Sequence, residues 1–329
     1  MRYLVTGANG FLGRALGQEL VARGFQVVAA LRSPNAGPWN ERVFCVLGDA
    51  PLPPGLCDGV DGVFHLAGIA HVQAVAGIPD AVYERVNVGG TRALLDAAIG
   101  AGVSRFVYFS SVKAAADPRE DCVDEQWGSS PTDAYGRSTL TAERLVLSAA
   151  ASGALDACIL RPTLVYGRGV KGNLQRMLEA VESGRFPPIP EFGNRRSMVS
   201  VGDLVAAAIL AMGHPAASGR TYIVADGVDY STRDLYLAIS EALGRTVPTW
   251  AIPALALRAG GRVGDLLERV LGRPMPISSA VMSRLAGSAC YRSTRLRAEL
   301  GWAPTESFFD NIDGMVSEMS FSRPRSVRR

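Results

Sequence analysis

The chain has 329 residues, of which 48% are hydrophobic and 20% charged, a balance that fits a globular protein with a substantial core and excludes a disordered one. Lys and Arg total 34 against 31 acids, too even a count to imply nucleic acid as a partner. This length exceeds one typical domain and implies a large α/β unit with an appended lobe.

The apolar run Tyr3-Leu4-Val5 reads as a first strand and leads directly into Thr6-Gly7-Ala8-Asn9-Gly10-Phe11-Leu12-Gly13. An amphipathic segment from Arg14 to Arg23 follows and ends at Gly24. A strand, a glycine-rich turn and a helix start, in that order, make a cradle for a dinucleotide pyrophosphate. Gly7 lets the chain turn sharply, Gly10 lets the backbone approach the phosphates, and Gly13 lets the helix pack closely on the strand. The free N–H groups and positive dipole end of that helix face the anion. The spacing is G-x-x-G-x-x-G, one residue wider than the G-x-G-x-x-G form. Because a strand begins at residue 3, no leader peptide is expected, and a cytoplasmic protein is.

Further strands are predicted over residues 26–31, ending at Arg32, over 42–47, ending at Gly48-Asp49, and over 60–66, running into Ala67-Gly68. A long helix over 79–101 leads to a fifth strand over 105–109, which ends at Ser110-Ser111. A helix over 132–151 and a sixth strand over 157–161, stopped by Pro162, follow. Short strands alternating with helices predict a doubly wound parallel sheet covered on both faces, the α/β class. Ligands of such sheets sit outside the carboxyl ends of the strands, where Gly7, Arg32, Asp49, Ala67 and Ser111 fall.

Beyond Gly167 strands become sparse. Pro187-Pro188-Ile189-Pro190 is a rigid connector. A helix over 203–213 with Asp203 as its N-cap, a strand over 221–224 and a helix capped near Ser231 or Thr232 come next. The division expected is a dinucleotide-binding domain over 1–166 and a smaller, mostly helical substrate-binding lobe over 167–329, with a segment near 199–226 returning to the main domain.

The cysteines (Cys45, Cys57, Cys122, Cys158, Cys290) are odd in number and scattered, which implies reduced thiols and neither a disulfide scaffold nor a zinc site. His65, His71 and His214 show no metal-ligand spacing, so no metal is expected. No apolar run is long enough to span a bilayer, and no membrane partner is expected. The basic tail from Arg323 to Arg329 reads as a solvated terminus.

Tyr135-Gly136-Arg137-Ser138-Thr139 lies on the helix after Ser111. Together with Thr6-Gly7-x-x-Gly10-Phe11-x-Gly13, His65-Leu66-Ala67-Gly68, Asn87-Val88-x-Gly90-Thr91 and Phe109-Ser110-Ser111, it resembles the extended short-chain dehydrogenase/reductase family, in particular its nucleotide-sugar epimerase/dehydratase branch. Arg161-Pro162-x-x-Val165-Tyr166-Gly167 and Glu299-Leu300-Gly301-Trp302 extend the resemblance over nearly the whole chain. It implies a Rossmann-type fold, an NAD or NADP cofactor and a homodimer. The implied cofactor contacts are Gly7, Asn9, Gly10, Phe11, Leu12, Arg32, Asp49, Ala50, Leu66, Ala67, Gly68, Asn87, Ser110, Tyr135, Pro162 and Val165.

The family's active site is a Ser or Thr, a Tyr, and a Lys four residues after the Tyr. Here these positions hold Ser111, Tyr135 and Thr139. A free phenol titrates near 10, so a base working near neutrality needs a shift of about three units, or about 4 kcal/mol. A Lys one turn away would supply much of that field; Thr carries no charge. Three readings follow: a lysine replaced to leave an inactive scaffold, a natural enzyme that is weak or helped by another cation such as Lys113, or a non-catalytic NAD(P)-binding regulatory or scaffold protein.

The second strand ends at Leu31-Arg32-Ser33 without an acid, which favours a 2′-phosphate and hence NADP over NAD. Asn173, at a helix start, and Arg196 are the expected contacts of a substrate diphosphate, with Lys113 nearby. Ser111 is followed by Val112-Lys113 and not by the acidic pair of the related dehydratases, which disfavours dehydration. The reaction implied is 4-epimerisation or 4-keto reduction of a UDP-hexose or UDP-N-acetylhexosamine in polysaccharide synthesis. A reductase of steroid-like ketones is a third possibility, which would lack a role for Arg196 and Asn173.

Overall fold

Strand β1 (Arg2–Thr6) is covered on both sides, Val5 entering one hydrophobic layer and Leu4 the other, as a central parallel strand must be. The computed structural model that shows this describes residues 1–33, 35–69, 78–117, 121–128, 131–273, 275 and 277–321; His71 and the tail from Arg323 lie outside them. Helix α1 (Phe11–Ala22), β2 (Gln26–Leu31), β3 (Glu41–Phe44) and β4 (Gly62–His65) follow β1. Both β3 and β4 are shorter than expected; β3 is the mostly exposed edge strand, and its chain leaves the ladder after Cys45 N donates to the Leu31 carbonyl.

The long helix expected over 79–101 is three pieces: α2 (Asp80–Tyr83), a π-helical turn (Glu84–Gly89) and α3 (Gly90–Gly100). Next come β5 (Arg105–Phe109), the short α4 (Val112–Ala115), α5 (Ala134–Ala151), β6 (Asp156–Pro162) and β7 (Leu164–Tyr166). Pro162 closes β6 from within the strand. The remainder is α6 (Asn173–Glu182), β8 (Arg196–Ser200), α7 (Val201–Gly213), β9 (Thr221–Val224), β10 (Asp229–Tyr230), α8 (Thr232–Ala242), α9 (Ala254–Leu271), α10 (Ser279–Ala286), α11 (Thr294–Leu300) and α12 (Phe308–Phe321).

The main sheet has seven strands in the order β3-β2-β1-β4-β5-β6-β9, every neighbouring pair parallel. Helices α1 and α7 bury one face, and α3 and α5 the other. Chain order reverses between β1 and β4, the point where a crevice opens at the carboxyl ends. Strand β9, after β8 and α7, returns to pair with β6. A second, three-stranded sheet with β8 between β7 and β10 packs with α6, α8 and α12 around Tyr166, Tyr230 and Phe308 and forms a smaller lobe.

Two expectations are corrected here. Cys122 and Cys290, separated by 168 positions, form a disulfide, while Cys45, Cys57 and Cys158 are free and buried. Val123 N donates to the Cys290 carbonyl and Arg292 N to the Val123 carbonyl, a bridge between the segment before α5 and the lobe. That bridge brings two sulfurs together that chain spacing cannot relate, and cysteine usage therefore gives no argument for a reducing compartment. Asp203 is not the N-cap of α7: Ser200 is, its hydroxyl accepting from Asp203 N at 2.9 Å. The buried Asp203 carboxylate instead accepts from Thr305 N and Oγ1, each at 2.9 Å, and from Glu306 N, tying α7 to the chain entering α12.

Candidate active site

The glycine turn joins β1 to α1 at the reversal point. Gly7 has φ +69°, and a Cβ there would lie 2.8 Å from Ala67 N at the end of β4. A Cβ on Gly13 would overlap the Gly7 carbonyl. Gly10 is the N-cap and has no side chain to offer, so the first-turn N–H groups of Phe11, Leu12 and Gly13 receive no side-chain cap, the condition a helix-end pyrophosphate site needs. These residues fit a dinucleotide. Arg14 hydrogen-bonds Asn9 Oδ1 and the Ala36 carbonyl, and its guanidinium lies 5.5 Å from the Trp39 ring centre. Arg32 is exposed at the end of β2, with Ser33 held by Asn35. Asp49, after the end of β3, is ion-paired with Arg85 at 2.9 Å with both side chains about half exposed, and Ala50 follows it.

A buried polar chain runs beneath this turn. Ala67 N donates to Thr6 Oγ1, which lies 2.7 Å from His65 Nδ1; His65 Nε2 lies 2.9 Å from Thr91 Oγ1, which donates to the Asn87 carbonyl. Because the Thr91 proton goes to Asn87, Nε2–H must donate to Thr91, leaving Nδ1 to accept from Thr6. Burial lowers the His65 pKa to about 3, so the ring is neutral. Asn87, inside the π turn, accepts from Ile69 N, donates to the Ile69 carbonyl and reaches Ser138 Oγ on α5 at 3.1 Å. It thus clamps the Leu66-Ala67-Gly68 loop to the helix carrying Tyr135.

Ser111 and Tyr135 are brought together. Ser111 caps α4, and Asp133 caps α5 by accepting from Gly136 N at 2.6 Å. The approach of the two helices is close: a Cβ on Gly136 would sit 2.7 Å from the Lys113 carbonyl. Burial pushes the Tyr135 phenol above its ordinary value; hydrogen bonds with the Ser111 and Thr139 side chains oppose this, and the Asp133 carboxylate and Tyr83 add to it. Thr139 is buried and donates to the Tyr135 carbonyl at 2.8 Å. Lys113 and Lys171 are the only lysines of the chain. Lys113 Nζ lies 3.3 Å from Asp133 Oδ2, and Lys171 lines a separate cleft with Gly169, Glu179 and Met315.

Other expected contacts have different surroundings. Ser110 donates to Glu143, which also receives both arms of the Arg161 guanidinium at 2.7 and 2.6 Å, a buried network under the active helix. Pro162 and Val165 flank the exit of β6, and Asn173 is exposed at the start of α6. The Arg196 guanidinium donates to Thr232 Oγ1 and to the carbonyls of Arg284 and Gly287, closing the carboxyl end of α10. Thr6, His65 and Thr91 stand in the sequence motifs but without an assigned role, and Asp133 and Glu143 escape the sequence reading altogether. Of these last two, Asp133 carries a signal, as an N-cap type directly before a helical run. Cys122, Asp229 and Cys290 cluster as potential metal ligands, yet the two sulfurs are bonded to each other.

The fold and this constellation define a dinucleotide-dependent redox enzyme, and the sequence matches the NAD dependent epimerase/dehydratase family over residues 3–225. The chain belongs to that family. It is 30% identical over 315 residues to a UDP-glucose 4-epimerase of Vibrio cholerae, covering 92% of this chain and 91% of that one. It is also 30% identical over 328 residues, 96% of both chains, to the 4-hydroxy-2-methyl-3-oxo-4-farnesyl-3,4-dihydroquinoline-1-oxide ketoreductase of Stigmatella aurantiaca. Its fold matches that of MoeE5, solved with UDP-glucuronic acid and NAD, with a TM-score of 0.77 over 98% of this chain and all of that one at 24% identity.

Proposed function

We infer that the protein is an NAD(P)-dependent oxidoreductase acting at C4 of a nucleotide-linked sugar, a UDP-hexose or UDP-N-acetylhexosamine, as a 4-keto reductase or 4-epimerase. The observation that carries this reading is the Ser111–Tyr135 pair at the same end of the sheet as the glycine turn, with β4 between their strands, in a chain similar along its length to a UDP-glucose 4-epimerase. A bound nicotinamide supplies the hydride exchanged with the substrate carbon. Ser111 orients the substrate oxygen, and Tyr135 moves the proton on it.

The raised phenol decides which direction is easier. Taking a proton from an alcohol needs the phenolate, which is scarce at neutral pH with Thr139 beside it. Giving a proton to a carbonyl oxygen needs the neutral phenol, which is the form present. The resting protonation state therefore suits the reductive direction, and a reductase is favoured over an epimerase, which must use both states in one cycle. Exposed Arg32, with Ser33, at the end of β2 supports NADP as the donor.

A second reading, reduction of an apolar ketone, is favoured by two observations. Arg196 is spent on backbone carbonyls, which removes one contact assigned to a substrate diphosphate. The similar Stigmatella aurantiaca protein is a ketoreductase of a farnesylated compound.

Thermal shifts with NAD, NADP, UDP and UDP-sugars test the assignment; a ligand at about 100 times its Kd adds about 2.7 kcal/mol of stability. UDP-dependent stabilisation, with NADPH oxidation by a UDP-4-keto-sugar, is expected. No shift with any UDP compound, together with turnover of apolar ketones, establishes the second reading. NAD(P) binding without turnover, even after Thr139→Lys, establishes a non-catalytic protein.

A further inference from the structure

Helix α9, 18 residues long, has one face built into the lobe. Leu257 is buried, and Gly261 and Gly264 admit the chain at Ile277 and Ser278 so closely that a Cβ on Gly264 would overlap the Ile277 carbonyl. The opposite face is apolar and open: Leu255 is 78% exposed, Val263 57%, Leu266 60% and Val270 74%. With Ala259, these residues recur at i, i+4, i+8, i+11 and i+15, a single stripe along the helix. Trp250, 62% exposed, stands just before the helix.

Charge identifies what covers the stripe. Exposed Arg258, Arg262 and Arg269, at i, i+4 and i+11, run along one edge of it, and exposed Arg273 follows the helix end. Neither acid of the helix lies on the open arc. Asp265 turns away to accept from Ser279 N at 2.9 Å, and Glu268 is half-buried on the packed side. A second copy laid antiparallel on this stripe would bring the two arginine rows together with no acid between them.

We propose that α9 with Trp250 docks the protein on the surface of an anionic phospholipid bilayer. The arginines meet lipid phosphates, and the Leu and Val side chains enter the boundary between headgroups and acyl chains. The exposed indole suits the headgroup level. None of the described helices is long and apolar enough to cross a membrane, so α9 lies in the plane of the interface. This departs from the expectation of no membrane partner and holds for either substrate reading.

Flotation of the full chain with phosphatidylglycerol/phosphatidylcholine vesicles, against phosphatidylcholine alone, tests it. Binding to the anionic vesicles is expected to exceed that to neutral ones by about tenfold or more, and to fall with salt. Leu266→Ser with Val270→Ser, and separately Arg258→Ala with Arg262→Ala and Arg269→Ala, are each expected to cut it by about tenfold, with Tm unchanged because all five side chains are exposed. Wild-type protein that fails to float, or floats equally well with either variant, overturns the proposal. So does a dimer in sedimentation that Leu266→Ser with Val270→Ser abolishes, since a second copy would then cover the stripe.

Discussion

Lys113 and Asp133 are ion-paired at 3.3 Å across the junction of α4 and α5, and the same carboxylate caps the helix that carries Tyr135. The cation nearest in sequence to Ser111 is thus neutralised by an acid that also raises the phenol. Asp133→Asn keeps the cap, because Asn serves as well at that position, and removes the charge. We expect its alkaline pH–rate limb for alcohol oxidation to move down. Lys113→Met in the Asp133→Asn background should undo part of that shift, and an unmoved limb in both would show that Lys113 has no influence on the phenol.

Thr139→Lys places a cation one turn from the phenol. Oxidation at pH 7 is expected to rise about 10²-fold or more, the scale of a working acid–base group. In the unaltered protein, oxidation should keep climbing as pH approaches and passes 10, since the phenol lies above its ordinary value. Because both directions share one transition state and the equilibrium at fixed pH is unchanged, kcat/KM for reduction should rise by the same factor. No gain in either direction would contradict the assignment of Tyr135 as the proton carrier.

His65 ties protonation to stability. Its folded pKa of about 3 lies below the ordinary histidine value of about 6.5, so between these limits the unfolded chain binds a proton that the folded chain refuses. Stability from this residue is full above about 6.5 and falls with decreasing pH, by at most about 1.4 kcal/mol per pH unit. His65→Gln should flatten that part of the slope. Urea midpoints measured at intervals from pH 4 to 7 report it, and parallel curves for the two proteins would refute the assignment.

Glu143 is the acceptor for Arg161 and Ser110 in a buried network. Glu143→Leu strands a guanidinium away from water and should cost about 3–5 kcal/mol. Adding Arg161→Leu should restore much of the loss. A urea titration in which the double variant is no more stable than the single one would rule this account out.

Reduction of Cys122–Cys290 opens a long loop and should destabilise the chain by about 2–5 kcal/mol. The bridge at Val123 and Tyr291 should then exchange its amide protons faster. Alkylation mass spectrometry without reductant that labels all the cysteines would show the bond to be absent.

What could be read along the chain was what depends on neighbours in sequence. The glycine turn and the strand ends rest on local patterns, and the sheet follows from their alternation; the Ser111–Tyr135 pair followed from the family resemblance. Pairings between distant segments left no trace: Cys122 with Cys290, Arg196 with the end of α10, Glu143 with Arg161. Asp203 was misread because Ser200 and Asp203, three positions apart, are both capping types, and choosing between them requires knowing that Thr305 and Glu306 need an acceptor. The π turn around Asn87 was hidden because its apolar spacing also suits an unbroken helix.

The return of β9 to β6, with Asp203 holding the chain ahead of α12, means that the two halves are sewn together by repeated passes of one thread. Exchanging the C-terminal part between relatives would require several simultaneous grafts. New specificity in such an architecture arises more readily by point replacement within the cleft than by shuffling of modules.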